Sequence, residues 1–242
     1  MSERAIDVEN VSIYYRILNS TSVRGSVWEK KQRNLVHEAV KELSFSVDRG
    51  EVLGIVGRNG SGKSTLLRSI AGIFSPNAGR IDLHGHTISL MALGIGFVSR
   101  LSGRENIVLS GMLLGFSEKE VEEKVQEIID FSELGDFIDR PVSTYSSGMY
   151  SKLAFAITVM LETDIMLVDE VLSVGDSRFQ KKSFNKMREL IMNVNTTVLI
   201  VSHNMETLRD LCDRVLWIHD GSMKEIGETE IVLQHYTEFM NS

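Results

Sequence analysis

Residues 57–64 read Gly57-Arg58-Asn59-Gly60-Ser61-Gly62-Lys63-Ser64, the complete spacing G-x-x-x-x-G-K-[ST]. These residue types at this spacing suit the holding of a triphosphate. Successive backbone N–H groups and a helix N-terminus aim donors at its negative charges. The glycines let the backbone wrap close to the phosphates. Lys63 is expected to reach the β and γ oxygens and Ser64 to ligate Mg²⁺, with Thr65 continuing the helix. A second pair, Asp169 and Glu170, directly follows the apolar run Ile165-Met166-Leu167-Val168. An acid at the C-terminal end of a parallel strand reaches the crevice where such a loop lies. Asp169 is expected to hold Mg²⁺ with Ser64, and Glu170 to polarise the attacking water as general base. Taken alone, an Asp-Glu pair can also simply cap a strand.

These groups must be positioned by strands and helices. Val52-Leu53-Gly54-Ile55-Val56 predicts a buried parallel strand entering the loop, and 65–71 predict a helix leaving it. Ile6 to Val11 alternates, as a half-buried strand does. Ala39 to Val47 is strand-like and Asp48-Arg49-Gly50 is a turn. Ile81-Asp82-Leu83 and Thr87-Ile88-Ser89-Leu90 flank His84-Gly85-His86, which predicts a hairpin. His84 and His86 could ligate a metal, but with no Cys or third ligand nearby a polar hairpin tip is the better reading. From Gly103 to about Leu161 the pattern is helical, with Val121, Val125, Ile128 and Ile129 forming one apolar stripe. Ile165–Val168 and Thr197–Val201 are continuous apolar runs, as in strands buried on both faces. Val215 to Ile218 precedes the turn His219-Asp220-Gly221. The sum is an α/β nucleotide-binding core with a helical insertion.

The 242 residues suffice for one large α/β domain or two small ones. With 33 acidic and 26 basic side chains the net charge is −7, which argues against wrapping nucleic acid. The single cysteine, Cys212, excludes an intramolecular disulfide, fits a reducing cytosol, and reads as a buried small side chain. No apolar stretch follows Met1-Ser2-Glu3-Arg4, so no signal peptide is expected. No run approaches the ~20 apolar residues that span a bilayer, so a membrane process needs another chain to do the spanning. Residues 18–34, with Trp28 among basic side chains, read as a loop, with an interfacial segment as the alternative.

Tyr145-Ser146-Ser147-Gly148-Met149 lies ahead of the helical run Tyr150 to Ala156 and upstream of Asp169. This segment resembles the signature motif of ABC-transporter ATPases. The resemblance implies a P-loop NTPase fold: a RecA-like core with an antiparallel β subdomain and a helical signature subdomain at about 100–161, all within one domain over 1–242. It also implies two head-to-tail copies with two ATP molecules between them, each capped by Ser147 and Gly148 of the opposite copy. Ser173-Val174-Gly175-Asp176 resembles the loop that follows the acidic strand, with Asp176 near the nucleotide. His203 falls where the family's switch histidine contacts the γ-phosphate, beside Lys63 and Glu170 in catalysis. Tyr15, preferred to its neighbour Tyr14, resembles the aromatic residue that stacks on adenine.

Tyr-Ser-Ser-Gly-Met, Gly94-Ile95-Gly96-Phe97, Leu101 to Asn106 and Phe131-Ser132-Glu133-Leu134-Gly135 resemble the polysaccharide-export branch, which exports teichoic acids, O-antigens and capsules. The resemblance then implies an ATPase subunit at the cytoplasmic face of the membrane, held there by two copies of an integral permease that handles the lipid-linked glycan. Motion is expected to pass to the permease through residues 98–115. With the chain ending at Ser242, no C-terminal carbohydrate-binding domain is expected. One departure stands out: Val98 occupies the place of a glutamine that touches Mg²⁺ and water, and valine can do neither. Ser99 is a candidate substitute. The rival readings are an ATP-gated clamp on DNA or the ribosome and a small-molecule kinase. The absence of a long coiled coil or a second ATPase domain argues against the clamp; the signature segment and His203 argue against the kinase.

Overall fold

The structure, a computed structural model, describes residues 3–17, 35–90, 96–169, 176–193 and 195–241. Glu170, residues 173–175, Gly94 and Ile95, and the 18–34 segment with Trp28 lie outside the described residues. The strands are β1 (Arg4–Ile17), β2 (Leu35–Asp48), β3 (Val52–Val56), β4 (Ala78–Asp82), β5 (Ile88–Leu90), β6 (Ile165–Asp169), β7 (Thr197–Val201), β8 (Arg214–His219) and β9 (Ser222–Glu228). The helices are α1 (Lys63–Ile70), α2 (Gly103–Leu113), α3 (Glu118–Ser132), α4 (Ser147–Met160), α5 (Ser177–Ile191), α6 (Met205–Leu211) and α7 (Thr229–Asn241).

One sheet runs in the order β5-β6-β7-β3-β8-β9. Its first five strands are parallel and β9 closes the edge antiparallel. β3 sits between β7 and β8, and every residue of β3 and β7 is buried. A central parallel strand with both faces covered has no polar side to show, which explains the uninterrupted apolar runs. The turn from β8 to β9 places Asp220 and Gly221 at φ 47° and 82°, the left-handed pair that a tight two-residue hairpin requires. Its Gly221 N–H donates to Ser61 O at 3.2 Å, and its carbonyl accepts from Lys41 N at 2.8 Å. The hairpin tip is thus pinned between β2 and the phosphate loop.

The second sheet, β2-β1-β4, is antiparallel. Its inner face (Val8, Val11, Ile13, Val40, Leu43, Phe45) joins Leu66, Leu67 and Ile70 of α1 in one core cluster. The helices between β5 and β6 form much of the other cluster. Both α2 and α3 start with capping boxes, Ser102 with Glu105 and Ser117 with Glu120. Such reciprocal caps fix where a helix begins. Val121, Ile128 and Ile129 are buried, and Glu118, Glu122, Glu123 and Glu127 are exposed, as the stripe requires. Cys212 is buried, and burial pushes its thiol up to about 12.

The expected hairpin around His84-Gly85-His86 does not form. β4 pairs with β1 in one sheet, and β5 pairs in parallel with β6 in the other. The short segment between them crosses from sheet to sheet. Thr87 explains the switch. Its N–H and hydroxyl donate to Asp164 Oδ2 at 2.8 and 2.7 Å, and its carbonyl accepts from Ile165 N at 2.9 Å. These bonds draw β5 to β6 rather than back onto β4. His84 instead faces Asp7, Nε2 to Oδ2 at 2.9 Å.

Candidate nucleotide site

Two glycines make the loop's path available. A side-chain carbon on Gly57 would collide with the carbonyl of Ile218, and one on Gly62 with the carbonyl of Ala39. Gly62 also holds φ 102° and is the N-cap of α1. No side chain caps that helix and no acid lies in its first turn, so its N-terminal dipole is left for an anion. Lys63 is 6% exposed. Its Nζ donates to Gly57 O at 2.7 Å and Arg58 O at 3.1 Å, which stretches the side chain along the loop. Ser61 Oγ is buried with no hydrogen-bond partner. A buried orphan hydroxyl costs free energy unless something else satisfies it. An uncapped helix start, a glycine-lined cradle and an orphan hydroxyl together fit a bound phosphate chain.

The loop forms one wall of a cavity of about 320 Å³. Asn59, Gly60, Ser61, Gly62, Lys63, Ser64 and Thr65 line it, with Tyr15, His37 and Ala39 from the β1–β2 pair and His203 from the end of β7. Gly57 is buried beneath, and Arg58 is exposed outside the lining. Tyr15, not Tyr14, reaches the cavity. Its ring stands edge-on to Phe74, with centroids 6.4 Å apart. Ser64 Oγ donates to Asp169 Oδ1 at 3.2 Å. A hydroxyl and a carboxylate converging from α1 and β6 are an all-oxygen donor set, the kind Mg²⁺ takes.

The remaining site residues form a second group. Ser146 is the N-cap of α4 and accepts from Met149 N at 3.2 Å, while Ser147 and Gly148 begin the helix. They line a separate cavity of about 530 Å³ with Glu133, Lys152 and Asp176. Asp176 caps α5 by accepting from Arg178 N and Phe179 N at 3.1 and 3.0 Å, and pairs with Lys152 at 2.8 Å. The ammonium and the two amides hold its carboxyl down to about 2. Within one chain, therefore, Ser147, Gly148 and Asp176 do not line the phosphate-loop cavity.

Sequence reasoning missed four residues. Ser146, one position before the chosen serine, is the side chain that caps; a serine ahead of a helix is the signal. His37 stands opposite Tyr15 in the β1–β2 register, a pairing with no local signature. Lys152 lies one helical turn beyond Gly148. Asn106 is fully buried and fixes the Val98 segment. Its Oδ1 accepts from Val98 N at 2.7 Å, and its Nδ2 donates to the carbonyls of Val98, Leu101 and Ser102. The Val98 side chain itself is 37% exposed.

This loop, after a central strand of a parallel sheet, with an acid at the end of β6 one strand further across β7, defines a P-loop NTPase domain. The same fold recurs in the ATP-binding cassette MJ0796, solved as a dimer bound to ADP and Pi. That match has a TM-score of 0.71 at 20% identity, covering 93% of this chain and 98% of that one. An ATP-binding subunit of an ABC transporter matches with a TM-score of 0.72 at 21% identity, covering 96% and 93%. The chain belongs to the ABC transporter family, whose model matches residues 40–173. It is 40% identical to the O-antigen export system ATP-binding protein RfbB of Klebsiella pneumoniae, over 98% of this chain and 99% of that protein. It is also 40% identical to the teichoic acids export ATP-binding protein TagH of Staphylococcus haemolyticus, over 98% and 89%. TagH of Bacillus anthracis matches at 40% over 97% of this chain and 43% of that protein.

Proposed function

We propose that this chain is the ATP-hydrolysing subunit of an exporter for a lipid-linked envelope polysaccharide of O-antigen or teichoic-acid type. The observation that carries the reading is 40% identity along 98% of the chain to ATP-binding proteins of both kinds of export system. Two copies pair head to tail around two Mg-ATP. Each triphosphate lies along the phosphate loop of one copy, with Lys63 at its β and γ oxygens and Tyr15 against the base. The turn at Ser146, Ser147 and Gly148 of the other copy caps it. Mg²⁺, held by Ser64 and Asp169, supplies charge neutralisation at the transferred phosphoryl group. Glu170 takes a proton from the attacking water, and His203 faces the γ-phosphate from the end of β7. The separation of the two cavities within one chain supports the need for a second copy. ATP then stabilises the closed pair over the open one, and hydrolysis releases it.

Among the described residues no helix is long and apolar enough to cross a membrane. A separate permease, two copies per assembly, does the spanning and holds this subunit at the cytoplasmic face. Val98, Met112 and Leu113 are 37%, 52% and 62% exposed, apolar side chains within 98–115 that suit docking of the permease. The test is to deplete the protein and to purify it with its natural partners. The expected result is an envelope polymer accumulating inside the cell and a co-purifying integral membrane protein. Bound nucleic acid with no change in any envelope polymer overturns the reading in favour of an ATP-gated clamp.

A further inference from the structure

Two lysines and three aromatic rings stitch the start of α4 to the start of α5. Lys152 Nζ lies 2.8 Å from Asp176 Oδ2 and 3.7 Å from Glu133 Oε2. It also sits 4.8 Å above the Phe179 ring, and its side chain is only 15% exposed. Lys182 of α5 meets the other Glu133 oxygen at 3.1 Å and donates to Phe131 O at 2.9 Å. Beneath the charges, Phe131, Phe155 and Phe179 pack with centroids 5.8 to 6.2 Å apart. An exposed ion pair contributes little, because ordering two long side chains costs about what the pair returns. Lys152 differs. It is largely covered, shared between two carboxylates, and seated on a ring. That is the geometry of a fixed joint between helices.

The joint connects two pieces that matter. α4 begins with the Ser146-Ser147-Gly148 turn. α5 is capped by Asp176, seven positions after Asp169 in the sequence. We infer that Lys152 is a positioning residue for ATP hydrolysis. It locks the signature turn to Asp176 at the start of α5, so that both meet the partner copy's triphosphate as one rigid edge. The inference rests on the two-copy sandwich proposed above. Without the joint, the turn moves with α4 independently of Asp176 and α5, and the composite site assembles poorly. Lys152 does not line the cavity of its own phosphate loop, so binding of ATP by a single copy does not depend on it.

The test uses the full chain. ATP-driven dimerisation is followed by sedimentation in a Glu170→Gln background, and turnover is followed with Glu170 intact. Lys152→Met is expected to lower kcat by about tenfold and to weaken dimerisation, with single-copy ATP affinity unchanged. Lys152→Arg restores most of both, because it keeps the cation. Asp176→Asn keeps the helix cap but loses the charge, and it matches Lys152→Met. The double variant is no worse than either single one, as for two residues acting as a unit. A lower unfolding midpoint with unchanged kcat and dimerisation means a purely structural role and overturns the inference. If Glu170→Gln alone stays monomeric with ATP, the sandwich fails and the inference with it. If it dimerises, and does so equally with Lys152→Met, only the joint is wrong.

Discussion

On the proposed reading, Tyr15 and Lys63 divide the nucleotide between them. Lys63 is tethered by two loop carbonyls at the phosphate end, and Tyr15 stands 44% exposed at the far end, backed by Phe74. The two ends can be weakened separately. Tyr15→Ala should lower ATP affinity by about tenfold, since stacking of a base on an aromatic ring is worth roughly 1–3 kcal/mol. It should leave binding of inorganic tripolyphosphate unchanged. Lys63→Ala should abolish binding of both, because charge-assisted bonds to the phosphates are lost. Calorimetry with the two ligands separates the cases. Equal loss of both ligands in Tyr15→Ala would place the base elsewhere.

Among the elements, the Val98 segment is held by backbone bonds to 142–143 and by one buried side chain. Asn106 satisfies one donor and three acceptors of the backbone at 98–102 from a fully buried position. Asn106→Ala leaves the Val98 N–H without its partner, while the three carbonyls keep the backbone donors Leu101 N, Val142 N and Asn106 N, and should cost about 2 kcal/mol of stability in urea unfolding. A cost below roughly 0.5 kcal/mol would mean that water replaces the amide. The phosphate loop, its strand and its helix are legible because neighbours in sequence build them. The stripe on α3 is legible because one helix face carries it. The Asn106 clasp, though local, has no residue pattern that announces its turn. The Tyr15–His37 pairing and the Lys152 joint are not legible, because each depends on where a distant backbone arrives. The expected hairpin at His84 failed for the same reason. Two short alternating runs look paired, yet Asp164, far downstream, supplies the bonds that claim Thr87 for the other sheet.

For the whole molecule, the decisive observation is that the two groups of site residues line separate cavities. The phosphate loop and Tyr15 line one cavity, and the turn at 146–148 lines another with Asp176. On the proposed reading, ATP does nothing useful until two copies meet, and the binding energy then appears as motion delivered to the 98–115 surface. That requirement can be observed directly by solving the Glu170→Gln protein with Mg-ATP. The expected result is a two-fold pair in which each γ-phosphate touches Lys63 of one copy and the Ser146–Gly148 turn of its twin. A structure that leaves that turn in solvent, with ATP fully enclosed by a single copy, would contradict it.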